Sequence, residues 1–372
     1  MTEIGVTADL AQLDAAIETL PDAPAVFVLW ANEGEPYLSK TARLRRRLLR
    51  LLRERAKPSR LLNLRHTVAR IEYQFTGSRL ESAVLHYETA KRLFPKSYLE
   101  VIRLRMPPYV KILLANQFPR IVVTTHLAGS SSLHFGPFRS RAAADRFETQ
   151  FLDLFQMRRC QEDLVPSPDH PGCIYGEMSM CLRPCQQVVG APEYAHEVER
   201  AAEFLRTGGH SLLATISRSR DRLSEEMNFE EAARQHKRLE KVQEVLKLRD
   251  ELASEADHLH GVAITPSLAP GAVELCFVRC GYWQHPQRFS FEVREGRPVS
   301  LDHALRAAFA DVPERKLTAR ERQEYLALLA RWFYSSWRDG EWISFPSWEE
   351  IPYRKLVHAI SRVASTPANQ KP

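Results

Sequence analysis

The spacing of apolar and polar positions changes period several times along the 372-residue chain. In AVFVLWANEGEPYLSK, from Ala25 to Lys40, two short apolar runs flank Asn32, Glu33 and Gly34, which predicts a β-hairpin. The next stretch, TARLRRRLLRLLRERAKPSR, sets leucines at helical spacing and fills the gaps with arginines, the pattern of a basic amphipathic helix. RIEYQFT then alternates like a strand, and Ser78 ahead of RLESAVLHYETAKRLF is a candidate helix cap. Strand, strand, helix, strand and helix in this order predict a compact α/β unit.

Further on, YVKILL and RIVVTTHL read as strands separated by the turn QFP. FGPFRSRAAADRFETQFLDLF turns at Gly136 and Pro137 and enters a helix capped near Ser140, which leads to a group of cysteines. From Pro192 to about Asp257 the pattern is helical, broken at Gly208 and Gly209, with a turn at Met227, Asn228 and Phe229 that predicts an antiparallel helical hairpin. HGVAITPS, AVELCFVRCGYW and RFSFEV read as strands, followed by the aromatic-rich LALLARWFYSSWRDGEWISFPSW. The expected fold class is α/β (α+β). It comprises a small mixed sheet with flanking helices (18–105), a linker module with the cysteines (106–195), a helical region (196–257) and a small C-terminal α/β segment (258–372).

Composition narrows the class. The 44% hydrophobic content is ordinary for a globular protein and excludes a disordered one. MTEIGVTADL has no basic segment followed by an apolar run, and no apolar stretch reaches membrane-helix length, so a cytoplasmic protein with no membrane partner is expected. The net charge of +6 is unevenly placed: from Lys40 to Arg70 twelve basic residues stand against Glu54 alone, which leaves the rest of the chain acidic. Such an excess points to a polyanion, most often nucleic acid; a solvated helix face is the bland alternative.

Cys160, Cys173, Cys181 and Cys185 follow the spacing C-x12-C-x7-C-x3-C. Four thiolates from one loop-rich region can wrap zinc or an iron–sulfur cluster, and the spacing does not separate the two; buried free thiols are the alternative. Cys276 and Cys280 stand apart and read as buried strand residues. Trp332, Phe333, Trp337, Trp342 and Trp348 could stack on unpaired bases, but a core is the expectation.

In order along the chain, LPDAPAVFVL, YLSKTARLRRRL, PPYVKI, FPRIVVT, FGPF, the cysteine cluster and MNFEEAARQHKRLE resemble the N-terminal half of the UvrC family. These are the excinuclease C subunits of bacterial nucleotide excision repair, whose first domain is a GIY-YIG endonuclease. The resemblance covers about the first 250 residues. It implies that a tyrosine of the second strand activates water, a lysine and an arginine hold phosphate, and a glutamate on a later helix binds Mg²⁺. Tyr37, Lys40 and Arg45 stand at the matching positions. Ala25, Phe27 and Ser39 replace motif glycine, tyrosine and glycine, His86 falls at the metal-binding glutamate, and Tyr98 falls where the family has an asparagine.

Mg²⁺ prefers carboxylate and water oxygens, and Glu81 and Glu88 do not share the helix face of His86, so Mg²⁺ or Mn²⁺ binding is expected to be weak or lost. The implied site is therefore Tyr37, Lys40, Arg45 and His86, weakly active or inactive, with Tyr37 and Lys40 positioned against a phosphate. Lys40, Arg43, Arg45, Arg46, Arg47 and Arg50 are the expected contacts to damaged duplex DNA. The hairpin at about 213–248 resembles the UVR motif, which implies docking to UvrB through Phe229, Ala232 and Ala233. For the four cysteines a 4Fe-4S cluster is expected ahead of zinc. No RNase H or helix-hairpin-helix domain is expected in 258–372. Two other readings stay open: an active stand-alone endonuclease making only the 3′ incision, and a nucleic-acid-binding protein unconnected with repair.

Overall fold

The structure, a computed structural model, describes residues 1–5, 10–53, 62–128, 131–291 and 300–365. Glu54, Arg55, Lys57 and Arg60 of the basic run, and Glu292 and Val293 at the end of RFSFEV, lie outside the described residues.

The first unit contains β1 (Thr2–Gly5), α1 (Leu10–Glu18), β2 (Ala25–Ala31), β3 (Tyr37–Thr41), α2 (Leu44–Leu52), β4 (Val68–Phe75), α3 (Arg79–Leu93) and α4 (Tyr98–Ile102). Its sheet runs β1-β4-β2-β3, antiparallel throughout. Alternation along β2 explains the two layers around it. Ala25, Phe27 and Leu29 pack with Leu13, Ile17 and the α2 leucines, while Val26, Val28 and Leu38 face α3. The Ser78 hydroxyl accepts from the Glu81 backbone N–H at 3.0 Å, so the cap read from sequence starts α3. β1 and all of α1 but its last residue precede residue 18, yet they belong to this sheet and its core.

The second unit contains β5 (Tyr109–Ile112), β6 (Ile121–Thr124), β7 (Leu133–Gly136), α5 (Arg141–Leu152), α6 (Ile174–Glu177), α7 (Ala191–Arg206), α8 (His210–Glu225), α9 (Phe229–Lys247) and β8 (Ser254–Glu255), with sheet order β6-β5-β7-β8. Phe135, Phe138, Phe147, Phe151, Phe155 and Phe204 fill its core. Leu239, Val242 and Val245 anchor the base of the α8–α9 hairpin in that core, whereas Ile216 is the buried residue of α8.

The third unit contains β9 (His260–Pro266), β10 (Ala272–Arg279), β11 (Tyr282–Trp283), β12 (Gln287–Ser290), α10 (Leu301–Ala310), α11 (Ala319–Phe333), β13 (Glu341–Phe345) and α12 (Tyr353–Ser365). The sheet order is β11-β10-β9-β13, with β12 also on β10. Val262, Ile264, Leu275 and Phe277 face α10 and α12, and Ala263, Cys276 and Val278 face the other way, toward α11 and α3. Trp332 is fully buried and Trp348 packs beside Phe277 and Phe309, so the aromatic stretch builds core. Cys276 is buried as expected, but Cys280 is half-buried in the turn after β10. Cys280 (φ 51°) and Gly281 (φ 71°) both take the left-handed conformation that a tight two-residue hairpin turn requires, which removes Cys280 from the strand.

The first and third units share one apolar core, in which α3 packs against α11. The approach is closest at Gly77, where a Cβ would lie 2.6–2.7 Å from backbone atoms of Pro266, Ser267 and Leu268. Only glycine fits there. No helix among the described residues is long and apolar enough to cross a membrane.

Candidate functional site

β3 separates the residues expected to act together. Tyr37 lies opposite Leu29, and Lys40 lies opposite Val26. Directly paired residues share a face, and residues three apart on a strand do not. Tyr37 therefore lies on the α2 side, where its ring packs 6.2 Å from Phe27 and its hydroxyl accepts from Arg47 Nη2 at 2.9 Å. Lys40 lies on the α3 side with His86. The guanidinium beside Tyr37 belongs to Arg47, while Arg45 is half-buried on the same helix.

On the α3 side, burial and the charges of Arg331 and Arg79 push the Lys40 pKa down to about 8. Burial, Lys40 and Arg331 push His86 down to about 4, so its imidazole is neutral at pH 7. Among the described residues, the charges that act on Lys40 and His86 are those of Arg331, Arg79 and Lys40 itself. The two nearby glutamates are engaged elsewhere: Glu81 accepts from the Gly77 N–H at 2.7 Å, and Glu88 accepts from the Tyr325 hydroxyl at 2.8 Å. Sequence reasoning missed Arg331 and Arg79, since Arg331 stands on α11, remote along the chain.

The lowered histidine has a consequence for stability. Burial also pushes buried His134 down to about 4. Unfolded histidines take up protons near 6.5, so as pH falls from 6.5 toward 4 the unfolded chain binds more protons than the folded one and stability is lost across that window. The urea midpoint is expected to be lower at about pH 5 than at about pH 7, and His86→Gln to reduce the difference.

On the other side, Leu44, Leu48, Leu51 and Leu52 bury one face of α2, leaving Arg43, Arg46 and Arg50 exposed. Their spacing at i, i+3 and i+7 aligns them along one helix face. Arg46 is paired with Asp22 at 3.1 Å. The expected DNA contacts thus fall into an exposed arginine row on α2 and Lys40 on the opposite sheet face.

The four clustered cysteines are free thiols in the loop between α5 and α7. Ser179, Arg183 and Gln187 take left-handed backbone conformations as the loop winds on itself. Cys181 and Cys185 are buried, and burial, with Cys160, Cys173 and Cys185 in electrostatic range, pushes the Cys181 thiol up to about 11. Among the described residues no three His, Cys, Asp or Glu side chains converge closely enough to hold a metal ion as they stand. The donor chemistry nonetheless fits a thiolate-bound group. The Arg183 N–H donates to Cys181 Sγ at 3.4 Å and Arg158 Nη1 donates to Cys160 Sγ at 3.2 Å. Arg158 is 2% exposed, and its remaining hydrogen bonds go to the carbonyls of Phe118, Cys160 and Glu162. A buried guanidinium whose other acceptors are neutral carbonyls favours an anionic sulfur at Cys160.

At the far end of the α8–α9 hairpin, Met227 is 78% and Phe229 66% exposed. Asn228 caps α9, its side chain accepting from the Glu231 N–H at 3.4 Å. Ala233 is exposed, but Ala232 is buried. The apolar tip is therefore Met227 with Phe229, and the left-handed Met227 (φ 56°) is the member that helical periodicity does not reveal.

Comparison with known proteins joins these features. The family model for the middle domain of UvrC/Cho excinuclease matches residues 108–204, the β5–α7 region that carries the cysteines. The chain is 27% identical over 361 residues to UvrABC system protein C of Moorella thermoacetica, covering 96% of this chain and 52% of that protein. It is 24% identical over 358 residues to UvrABC system protein C of Methanothermobacter thermautotrophicus, covering 95% and 60%. Over 216 residues it is 29% identical to UvrABC system protein C of Xanthomonas euvesicatoria, covering 58% and 35%. The chain spans about half the length of the curated relatives it matches. No solved structure matches. With a mixed α/β fold of small antiparallel sheets, a middle region that fits the UvrC/Cho model and similarity to UvrABC system protein C along nearly its whole length, this chain resembles the UvrC family.

Proposed function

We propose that this chain is a nucleotide excision repair factor that grips damaged duplex DNA and docks UvrB, and that it does not cut DNA at its GIY-YIG-like unit. One observation carries the reading: among the described residues the charges that act on Lys40 and His86 are cationic, from Arg331 and Arg79, while the α3 glutamates Glu81 and Glu88 are bonded elsewhere. A hard divalent cation needs oxygen ligands and is repelled by such a set. Tyr37, the expected water-activating group, lies across the sheet against Arg47. Phosphate contacts remain available on the exposed arginine row of α2.

Cys160, Cys173, Cys181 and Cys185 would hold the metal group, a 4Fe-4S cluster ahead of zinc, with Arg158 and the Arg183 N–H supporting the sulfurs. Such a group would supply a structural clamp on the loop. Metal analysis after anaerobic purification tests it, and a chain holding neither iron nor zinc would contradict it.

UvrB docking rests on the projecting hairpin, whose tip presents apolar surface that one two-helix hairpin is too small to cover. The full chain is expected to capture purified UvrB. Phe229→Glu, at an exposed position that leaves the hairpin base untouched, is expected to weaken capture at least ~10-fold. Unchanged capture by that variant would count against the hairpin as the docking element.

A further inference from the structure

The third unit carries an open cleft of about 900 Å³, lined by the N-terminal turns of α10 and α12. Both helices bury one face against the sheet, through Leu305 and Phe309 of α10 and Leu356 and Ile360 of α12. Between them they leave an apolar wall of Leu301, Ile351, Tyr353 and Val357, each partly buried. The rim is positive. Arg306, Arg354 and Lys355 line the cleft, and Asp302 is the one carboxylate among its described lining residues; Glu349 and Glu350 precede the cleft without lining it. Asp302 pairs with Arg306 at 2.8 Å, and that guanidinium also lies 4.1 Å over the Tyr353 ring. Among the described residues neither Arg354 nor Lys355 pairs with a carboxylate, and both are exposed. The positive ends of two helix dipoles add to the same field.

The tip of the α8–α9 hairpin has the opposite character. Met227 and Phe229 stand exposed among Glu225, Glu226, Glu230 and Glu231. Arg234 pairs with Glu230 at 3.0 Å and Glu231 at 2.9 Å, and Arg222 reaches Glu226 at 3.8 Å, so four carboxylates against two guanidiniums leave the tip negative. Two large apolar side chains ringed by carboxylates match an apolar cleft ringed by cations. The outer face of α2 is basic too, but among its described residues it offers no exposed apolar side chain and so matches the charge alone. We propose that the α10–α12 cleft of one copy of this chain receives the α8–α9 hairpin tip of a second copy, with Met227 and Phe229 against the apolar wall and the tip glutamates against Arg354 and Lys355. The contact is head to tail: two different surfaces meet, and every copy carries one of each. It occupies the same tip that UvrB docking would use, so pairing and UvrB capture exclude each other. That competition rests on the UvrB reading; the pairing itself does not.

The test compares the full chain with two variants that each spoil one surface. Arg354→Glu with Lys355→Glu reverses the charge of the cleft, and Phe229→Glu places a charge at the tip. All three positions are exposed, and urea midpoints equal to the native chain's check that both variants fold. In sedimentation equilibrium the native chain is expected to associate with rising concentration, and less so as salt is raised. Each variant alone is expected to associate at least ~10-fold more weakly. Mixed together they are expected to pair one to one, because the cleft variant keeps a working tip and the tip variant keeps a working cleft. A native chain that stays monomeric to about 100 μM would overturn the proposal. So would association unchanged in either variant, or two weakened variants that fail to pair on mixing. The cleft variant is expected to capture UvrB as the native chain does, so a failure of pairing and a failure of UvrB docking are read separately.

Discussion

Replacing Glu324 with leucine is expected to cost ~3–5 kcal/mol of folding stability, a large fraction of what keeps an ordinary domain folded. Glu324 is fully buried between α11 and α3, and its carboxyl oxygens accept from the Tyr87 and Tyr98 hydroxyls, both at 2.6 Å. Arg320 Nε reaches the same carboxyl at 2.9 Å from an exposed position. Leucine has a suitable volume but no acceptor, so both hydroxyl protons would lose their acceptor in the shared core, and Tyr87 would keep only the long contact from Lys91 Nζ at 3.5 Å. Burial first, and then the Glu324 hydrogen bond, push the Tyr87 hydroxyl far above the usual tyrosine range, so it cannot escape the penalty by ionising at neutral pH. Arg320→Ala, which removes only the exposed partner, is expected to cost ~1 kcal/mol or less. Urea unfolding of the two variants beside the native chain measures both. Near-equal midpoints would show that Tyr87 and Tyr98 find other acceptors. The network also gives Tyr98, where the family has an asparagine, a role in joining the two units.

The second large effect concerns DNA. Replacing Arg43, Arg46 and Arg50 together with alanine removes three exposed charges from one face of α2 while its buried leucines stay in place. If each arginine neutralises one phosphate, the slope of log binding constant against log salt falls in magnitude by about 2.7, at roughly 0.9 per contact. Affinity at about 0.1 M salt is expected to fall ~30- to 100-fold. Arg46 must give up its pair to Asp22 to bind phosphate, which lowers its share. Titration of a labelled duplex at several salt concentrations reads both quantities, and a salt slope unchanged by the triple replacement would remove α2 from the interface.

Much of this architecture is legible from period and punctuation. The hairpin, the arginine helix, the Ser78 cap and the turn at Met227 are local features, set by alternation, leucine spacing and turn residues, and the chain folds there as those signals direct. The opposition of Tyr37 and Lys40 is likewise implicit in a strand's two-residue repeat, but a motif read as a unit hides it. β13 and α12 are not legible, because the short run at Glu341–Phe345 becomes a strand only by pairing with β9. The roles of Arg331 and Glu324 leave no local signal. Within ARERQEYLALLARWF both resemble surface residues of an amphipathic helix, and only the packing of α11 on α3 buries one and aims the other at Lys40. The cysteines lie between these cases: spacing places the four in one loop, while the hydrogen bond from Arg158 to Cys160 emerges only from the fold.

Incision of a lesion-containing duplex by the full chain with UvrB present, in Mg²⁺ and separately in Mn²⁺, tests most directly whether this chain binds without cutting. The DNA is expected to be bound and to stay intact under both metals. Robust cutting by the native chain that disappears in Lys40→Ala would contradict the loss of nuclease chemistry.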